Sequence, residues 1–395
     1  MAHQNNDNNT SLTWGGVAAN KGTPDSTTTA HRRALYLKLF SGELFKGFQR
    51  NTIARDLITK RTLKNGKALQ FIFTGRTNSE FHVPGQNILG NTDGAPPVAE
   101  VTIQCDDLLI SSAFVYELDE VLSHYDLRGE ISKKIGYALA ENYDRRIFRA
   151  ITKAARQASP IQKTNFLEPG GTQVRVGTNA AGTDAYDADA LVNAFYDAAA
   201  ALDEKGVSTD GRVGVLNPRQ YYELIQKVGD SGLINRDEQG EARQRGNGIV
   251  EIAGIKIYKS MNIPFFGRFG TKYGGSGATG TGVTDPGNTG SFVCEDMGNQ
   301  AESASGAPDG QRTVNDYGEG NKFDNSCGLI FQKEAVGCVE AIGPQVQVTS
   351  GDVSVIYQGD VILGRLAMGA APLNPAAAVE LIAGIAPNTG VAQAF

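Results

Sequence analysis

The sequence places few residues at the spacings that catalysis or metal binding requires. Its four histidines, His3, His31, His82 and His124, are far apart, and none has a second histidine or a cysteine at metal-ligand spacing. Neither GxSxG nor HExxH occurs, and no glycine-rich run leads into Lys-Ser or Lys-Thr. These observations argue against a serine hydrolase, a zinc peptidase and a P-loop nucleotide-binding protein.

One glycine motif remains, because Gly275, Gly277 and Gly280 match GxGxxG. A dinucleotide site requires this motif between a strand and a helix. Here it lies inside Gly267–Gly320, where 14 of 54 residues are glycine and neither element is predicted. A nucleotide-utilising enzyme is therefore only a remote alternative, and we expect no catalytic residue, cofactor or metal.

The acidic residues and cysteines are also interpreted as structural. Two acidic groups are expected to be solvated residues near helix starts: Asp106 with Asp107, and Glu117 with Asp119 and Glu120. Cys105 has no basic neighbour in the sequence, which favours a buried, unreactive thiol. The remaining cysteines show no paired spacing, which predicts reduced thiols throughout: Cys294, Cys327 and Cys338.

Composition restricts the class of protein further. The 395 residues allow one to three domains, and a net charge of −6 is not that of a chain built to attract nucleic acid. The region from His31 to Lys67 is an exception, with ten Lys and Arg residues. No apolar run approaches the ~18 residues of a membrane span, and the N-terminus lacks the features of a signal peptide. We expect a soluble protein made in the cytoplasm.

The longest regular pattern predicts a helix over Asp126–Gln157. Apolar residues recur along a stripe only one face wide, and the segment contains no proline. Asp126 is a suitable N-cap. The C-terminal end of the helix carries cations, which the helix dipole favours at that end: Arg145, Arg146, Arg149, Lys153 and Arg156. Such a helix is typical of a strut, and we expect these cations on its exposed face.

Two β features are predicted before this helix. Leu57–Leu63 and Ala68–Phe73, joined by Asn65-Gly66, match a tight hairpin. The polar excursion Gly75–Ala99 is flanked by strand-like residues and returns at Val101–Ile103. This predicts a projecting arm whose edges need cover.

After the helix, alternating helices and strands predict an α+β lobe. Its elements are a helix over Ala188–Lys205, a strand over Val213–Leu216, a helix beginning at Asn217-Pro218 and a hairpin over Ile249–Tyr258. Gly267–Gly320 is interpreted as a long surface insertion. The core is expected to resume at Gly328–Val339, followed by a bent two-stranded element over Gln345–Leu363 and an apolar tail.

Projecting parts of this kind would be unstable alone, which favours a large homo-oligomeric assembly. Five segments, in this order, carry a resemblance to a known family: ALYLKLFSGEL (Ala34–Leu44), GRT with PGQNI (Gly75–Thr77 and Pro84–Ile88), HYDLRGE (His124–Glu130), GLIFQKEAVGCV (Gly328–Val339), and AMG with LNPAAA (Ala367–Gly369 and Leu373–Ala378). The chain resembles the major capsid proteins of tailed phages, a fold shared with the shell floor of herpesviruses. More narrowly, it resembles those of autographivirus-like podoviruses, which include many cyanophages.

The resemblance implies an α+β fold with four parts. Residues 1–62 would form the N-terminal tail and N-arm, and 63–101 the E-loop. A P-domain would combine 102–172 with 340–364 and contain the spine helix, 126–157. An A-domain would combine 173–339 with 365–395 and contain the glycine-rich insertion, 267–324.

The resemblance also implies a structural function and no enzymatic one. Hexamers and pentamers would tile an icosahedral shell, T=7 as expected from the family, around double-stranded DNA in the virion. Assembly would require a scaffolding protein, a portal at one vertex and no membrane. Some related shells crosslink through an E-loop lysine, but Arg76–Gly94 contains none, so non-covalent stabilisation is expected. The nearest alternative is the shell of a cellular nanocompartment of the same fold.

Two groups of candidate residues follow from this resemblance and from charge placement. The inter-subunit contact candidates are Leu35, Leu39, Phe40, Leu44, Phe48, Arg76, Glu80 and Asn87. The candidates for a basic inner surface facing DNA are Arg145, Arg146, Arg149, Lys153 and Arg156.

Overall fold

The computed structural model describes residues 53–75, 81–85, 97–106, 108–116, 118, 127–163, 166–178, 183–227, 251–264, 284–285, 288–289, 315, 317, 326–348 and 358–383. The chain divides into two compact units. The first comprises residues 1–51, 108–142 and 342–367, and the second 52–107, 143–341 and 368–395.

Three α-helices lie within the described residues: α1 (Leu127–Arg156), α2 (Ala188–Glu204) and α3 (Pro218–Lys227). The strands of the first half are β1 (Thr59–Thr62), β2 (Ala68–Thr74), β3 (Val98–Gln104), β4 (Leu109–Tyr116), β5 (Gln162–Lys163), β6 (Phe166–Leu167) and β7 (Thr172–Val176). Those of the second half are β8 (Arg212–Leu216), β9 (Glu251–Ile252), β10 (Ile255–Lys259), β11 (Thr284–Asp285), β12 (Asn288–Thr289), β13 (Ser326–Gln332), β14 (Val336–Val348), β15 (Gly359–Pro372) and β16 (Ala378–Ala383). Short 3-10 helices cover Ala54–Asp56, Thr183–Tyr186 and Pro375–Ala377.

The second unit is built on a six-stranded sheet with the order β7-β16-β13-β8-β10-β9. Helices α2 and α3 bury apolar side chains such as Leu191, Phe195 and Leu224 in the core that also contains residues of this sheet. Gly206, with φ of 70°, follows the end of α2. The turn between β9 and β10 uses positive φ at Ala253 and Gly254. The predicted α+β lobe and these helices and strands are confirmed.

Strands β2 and β3 form a separate antiparallel ribbon in the same unit, with Ala68 opposite Gln104 and Thr74 opposite Val98. Its inner face buries Phe71 and Ile103 in a small core with Val339. The ribbon confirms that strands flank the polar excursion. The hairpin predicted across Asn65-Gly66 is wrong, because β1 pairs in parallel with β14 and β2 pairs with β3.

A four-stranded sheet has the order β1-β14-β15-β4. In the first unit, β15 pairs antiparallel with β4. There Gly364 permits close approach of the helix, since a Cβ at this position would lie 2.3 Å from Cγ2 of Ile135 and 2.8 Å from Cδ1 of Leu139. Strand and helix therefore pack more closely than any larger residue allows.

The predicted long helix is confirmed as α1, while Asp126 lies outside the described residues. The predicted apolar tail includes β16, a fully buried strand of the six-stranded sheet. The surface interpretation of Gly267–Gly320 is wrong at Tyr317, whose exposed fraction is 1%. Within the described part of the chain, no helix has the length and apolarity needed to cross a membrane.

Candidate functional site

The outer face of the β2–β3 ribbon presents apolar side chains to solvent. Ile72 is 75% exposed and Val98 is 60% exposed, on adjacent strands and diagonal to each other in the register. Beyond the strands, Phe81 and Val83 are also exposed. Large apolar side chains exposed on such a ribbon are typical of a surface that another chain covers.

The first unit has a second exposed apolar group around strand β4. Its members are Leu108, Ile110, Tyr116 and Leu118. The predicted contact residues themselves cannot be compared with either group, because all of them lie outside the described residues: Leu35, Leu39, Phe40, Leu44, Phe48, Arg76, Glu80 and Asn87.

The predicted basic surface on α1 is wrong for three of its five residues. Arg145, Arg146 and Arg149 are 8%, 5% and 1% exposed. They lie in the second unit, where α1 is covered by other segments of the same chain. Of the other two candidates, Lys153 is half-buried and Arg156 is held by a buried carboxylate, as described below.

A first polar cluster is centred on Asp106, which is buried, so its interpretation as a solvated acid is wrong. Its Oδ2 accepts a hydrogen bond of 2.6 Å from the Tyr317 hydroxyl, and its Oδ1 accepts two of 3.0 Å from the backbone and side-chain nitrogens of Asn315. Arg146 Nη1 lies 3.9 Å from Oδ2. The Tyr317 hydroxyl in turn accepts a hydrogen bond from the backbone nitrogen of Ala370.

Arg146 and Arg149 complete this cluster from α1. The Arg146 guanidinium lies 5.6 Å from the centroid of the Tyr317 ring, and Arg149 Nη1 donates to the Tyr317 carbonyl at 3.2 Å. Burial raises the pKa of Tyr317, and the nearby Asp106 charge raises it further. The hydroxyl therefore remains a donor and binds Asp106, two residues after β3. The ring and carbonyl of Tyr317 contact Arg146 and Arg149 of α1.

A second cluster is centred on Glu340 of β14. Tyr143 donates a hydrogen bond of 2.8 Å to this carboxylate, and Arg55 donates two of 3.3 and 3.1 Å. On the neighbouring position of α1, Asp144 accepts hydrogen bonds from the backbone nitrogens of Ile53 and Ala54. These contacts fix the short 3-10 helix at the point where the described residues begin.

A third cluster lies between the C-terminal end of α1 and the six-stranded sheet. Arg156 forms an ion pair of 2.6 Å with Glu380, a residue of β16 with no exposed surface. Gln173 Nε2 and the Ser326 hydroxyl donate to the same carboxylate. The carboxylate is therefore satisfied by three different elements of the second unit.

The described cysteines are buried and form no disulfide: Cys105, Cys327 and Cys338. Burial raises the pKa of the Cys338 thiol to about 12 and also raises that of Cys327. Such thiols are poor nucleophiles at neutral pH. No group of three potential metal ligands occurs among the residues that the structure describes. The three polar clusters described above are therefore interpreted as structural contacts that join distant segments of the chain.

No local pattern in the sequence indicates these clusters, because their partners are distant in the chain. Asp106 and Tyr317 are 211 residues apart, and Arg156 and Glu380 are 224 residues apart. The one usable hint was the presence of several arginines on a helix whose apolar stripe is narrow.

Comparison with known proteins identifies the family of this chain. A sequence model described as Gp10A-like major capsid protein matches residues 71–296, which is more than half of the chain. This chain belongs to the Gp10A-like major capsid protein family. Two relatives of this chain are the major and minor capsid proteins of Escherichia phage T7. Each is 24% identical over 360 residues and covers 88% of this chain, with 92% and 79% of its own length matched, respectively.

Solved structures agree with the family. A chain in the capsid structure of cyanophage P-SCSP1u is 29% identical and superposes with a TM-score of 0.66, covering 92% of this chain and 97% of its own. A chain of the mature capsid of bacteriophage PhiM1 has a TM-score of 0.59 at 15% identity, with 87% and 90% covered, which shows the shared fold. The Gp10A-like protein thus has the tailed-phage major-capsid fold and is a structural protein of a phage capsid shell.

Proposed function

We propose that this capsid protein assembles as hexamers and pentamers into an icosahedral T=7 shell that encloses double-stranded DNA. It is made in the host cytoplasm, assembles on a scaffolding protein and joins a portal at one vertex. The shell has no catalytic role and no membrane. The observation that carries the proposal is the exposed apolar face of the β2–β3 ribbon in a member of a capsid family.

The four predicted parts remain our proposal for the organisation of the subunit. Strand β2 and most of β3 lie in the proposed E-loop (63–101), while β3 ends at Gln104, and α1 is the proposed spine helix. Residues of the N-arm (1–62) and of the E-loop tip would contact neighbouring subunits. The P-domain (102–172 with 340–364) and the A-domain (173–339 with 365–395) would form the tile itself. A nanocompartment shell is not favoured, because the relatives reported above are phage capsid proteins.

Electron microscopy of the purified chain, expressed with and without a candidate scaffolding protein, tests the proposal. Uniform icosahedral shells are the expected result. A monomer or dimer under both conditions would contradict it.

The E-loop assignment has its own test, because the structure shows where a segment can be removed from the chain. The backbone nitrogen of Gly75 donates a hydrogen bond of 2.8 Å to the Pro97 carbonyl, so the two residues that flank 76–96 are adjacent in space. Replacing them with Asn-Gly, the preferred two-residue hairpin turn, should yield a folded subunit that forms no closed shells. Normal shells from this variant would rule out the assignment.

A further inference from the structure

Although the arginines of α1 are buried, another described region of the second unit exposes basic side chains. Residues 53–71 contain five cations and one anion, a local net charge of +4 on a chain whose net charge is −6. The cations are all exposed: Arg55, Lys60, Arg61, Lys64 and Lys67. We call Lys60, Arg61, Lys64 and Lys67 the basic turn.

The backbone holds the basic turn at both ends. Strand β1 carries Lys60 and Arg61 and is the outermost strand of its sheet. After it, the Leu63 nitrogen donates to the Glu340 carbonyl, and the Cys105 nitrogen donates to the Lys67 carbonyl, both at 2.8 Å. Between these anchors Gly66 adopts φ of 97°, which favours glycine. Lys60 and Arg61 therefore lie on a strand, and Lys64 and Lys67 lie on a loop that is anchored at both ends.

Little within the subunit neutralises these charges. Lys60 lies 3.7 Å from Asp56, but this ion pair is solvent-exposed and therefore weak. The Arg61 guanidinium lies 5.2 Å from the centroid of the Phe71 ring, which orients it without removing its charge. Among the described residues, no carboxylate forms an ion pair with Lys64 or Lys67. Their charge is available to a partner.

The chemistry of the surface favours a phosphate backbone. A protein partner generally requires apolar anchors at the centre of its interface. Residues 53–71 expose no large apolar side chain, and Ile72 is the first to do so. A duplex requires only positive charge at its phosphates, because binding is driven largely by release of counterions. The exposed neighbours of the cations are small or polar, such as Thr62 and Asn65.

We propose that the basic turn binds the phosphate backbone of duplex DNA without sequence preference. This inference rests on the proposed function to the extent that a shell encloses DNA. It assigns the contact to residues around β1, in place of the arginines of α1 that the sequence alone indicated.

The test compares wild type with Lys64→Gln/Lys67→Gln, using full-length unassembled subunits and a short fluorescent DNA duplex. Fluorescence anisotropy across a salt series gives the slope of log affinity against log salt concentration. The slope should become shallower by about 1.8 in the variant, since each lost phosphate contact removes about 0.9. Lys134→Gln/Lys256→Gln is the matched control, because both lysines are exposed and the net charge falls equally to −8. The control should retain the wild-type slope.

Three results would overturn the proposal. The first is an unchanged slope in Lys64→Gln/Lys67→Gln. The second is an equal change in the control, which would indicate only an effect of net charge. The third is tighter binding of polyglutamate than of DNA to the same residues, which would assign the surface to an acidic protein. Shell formation is scored separately by electron microscopy, so failure of the proposed function is distinguishable from failure of this site.

Discussion

Arg156, the last residue of α1, donates two hydrogen bonds of 2.6 Å to the carboxylate of Glu380 in β16. The arginine side chain is 12% exposed and the carboxylate is fully buried. A buried ion pair gains little over a well-packed apolar pair, but breaking it leaves one buried charge uncompensated. The pair therefore makes the position of α1 and that of β16 depend on each other.

Removing Arg156 alone should cost more than removing both partners, because the double variant leaves only the neutral donors of Gln173 and Ser326 without the Glu380 carboxylate. We expect Arg156→Met to lower the free energy of unfolding by about 3–5 kcal/mol, because Glu380 keeps a buried charge. Arg156→Met/Glu380→Met should lose less than the single variant. Urea denaturation measures both, with Gln157→Ala at the exposed neighbouring position as the control. Equal losses in the single and double variants would contradict the interpretation.

The Tyr317 hydroxyl should be the main stabilising group of the first polar cluster. Tyr317→Phe leaves a buried oxygen of Asp106 and the buried nitrogen of Ala370 without this partner, so we expect a loss of about 1–3 kcal/mol. Tyr258→Phe, which changes an exposed tyrosine, should have little effect on the free energy of unfolding. A loss at position 317 no larger than that at 258 would show that the hydroxyl is dispensable.

Asp144 should hold the first described turn through its backbone contacts. Asp144→Ala removes the acceptor for the amides of Ile53 and Ala54, and we expect a cost of about 1 kcal/mol, as for a lost helix cap. Hydrogen exchange at these two amides should speed up. Asp144→Asn keeps one acceptor oxygen and should retain partial protection. Unchanged exchange in Asp144→Ala would mean that another group protects these amides.

Lys205 should make the stability of the subunit vary with pH in the alkaline range. Its ammonium donates to the Gly170 carbonyl and the Thr172 hydroxyl, and burial lowers its pKa from 10.5 to about 8. Between these values the unfolded chain binds more protons at this site than the folded chain, so stability rises with pH. The difference in free energy of unfolding between wild type and Lys205→Met should therefore shift in favour of wild type from pH 8 to 10.5. A pH-independent difference would contradict this.

The two faces of the β2–β3 ribbon should respond oppositely to substitution. Ile72→Thr changes an exposed position, so the free energy of unfolding should change by less than about 0.5 kcal/mol while shell yield falls. Phe71→Ala, at the adjacent buried position, should cost about 3–5 kcal/mol in the isolated subunit. Normal shells from Ile72→Thr would show that the outer face is not a contact surface.

Local patterns in the sequence predicted local structure well. Helix α1 matches the prediction to within one residue at each end, because its apolar stripe, its lack of proline and its charged ends are all encoded nearby. The turn after α2 at Gly206 is equally local. The family resemblance and the strands flanking the polar excursion were also correct.

The errors arose where a distant segment decides the outcome. Asn65-Gly66 has the signature of a hairpin, yet β1 pairs with β14, whose Gly337 lies opposite Thr59. In the sequence, Arg146 and Arg149 resemble solvated cations. In the folded chain, Tyr317 contacts both of them and Asp106 lies beside Arg146. Pairing across such separations depends on tertiary packing, which a single sequence does not reveal.

The position of β16 has a consequence for synthesis of the shell. This strand is parallel to β7 on one side and antiparallel to β13 on the other, and all of its residues are buried. Because it comes from Ala378–Ala383, the sheet is incomplete until the ribosome has made this segment. A chain that terminates early retains a gap between β7 and β13 and an Arg156 without Glu380. Only chains that extend through Ala383 can therefore complete the core of the second unit.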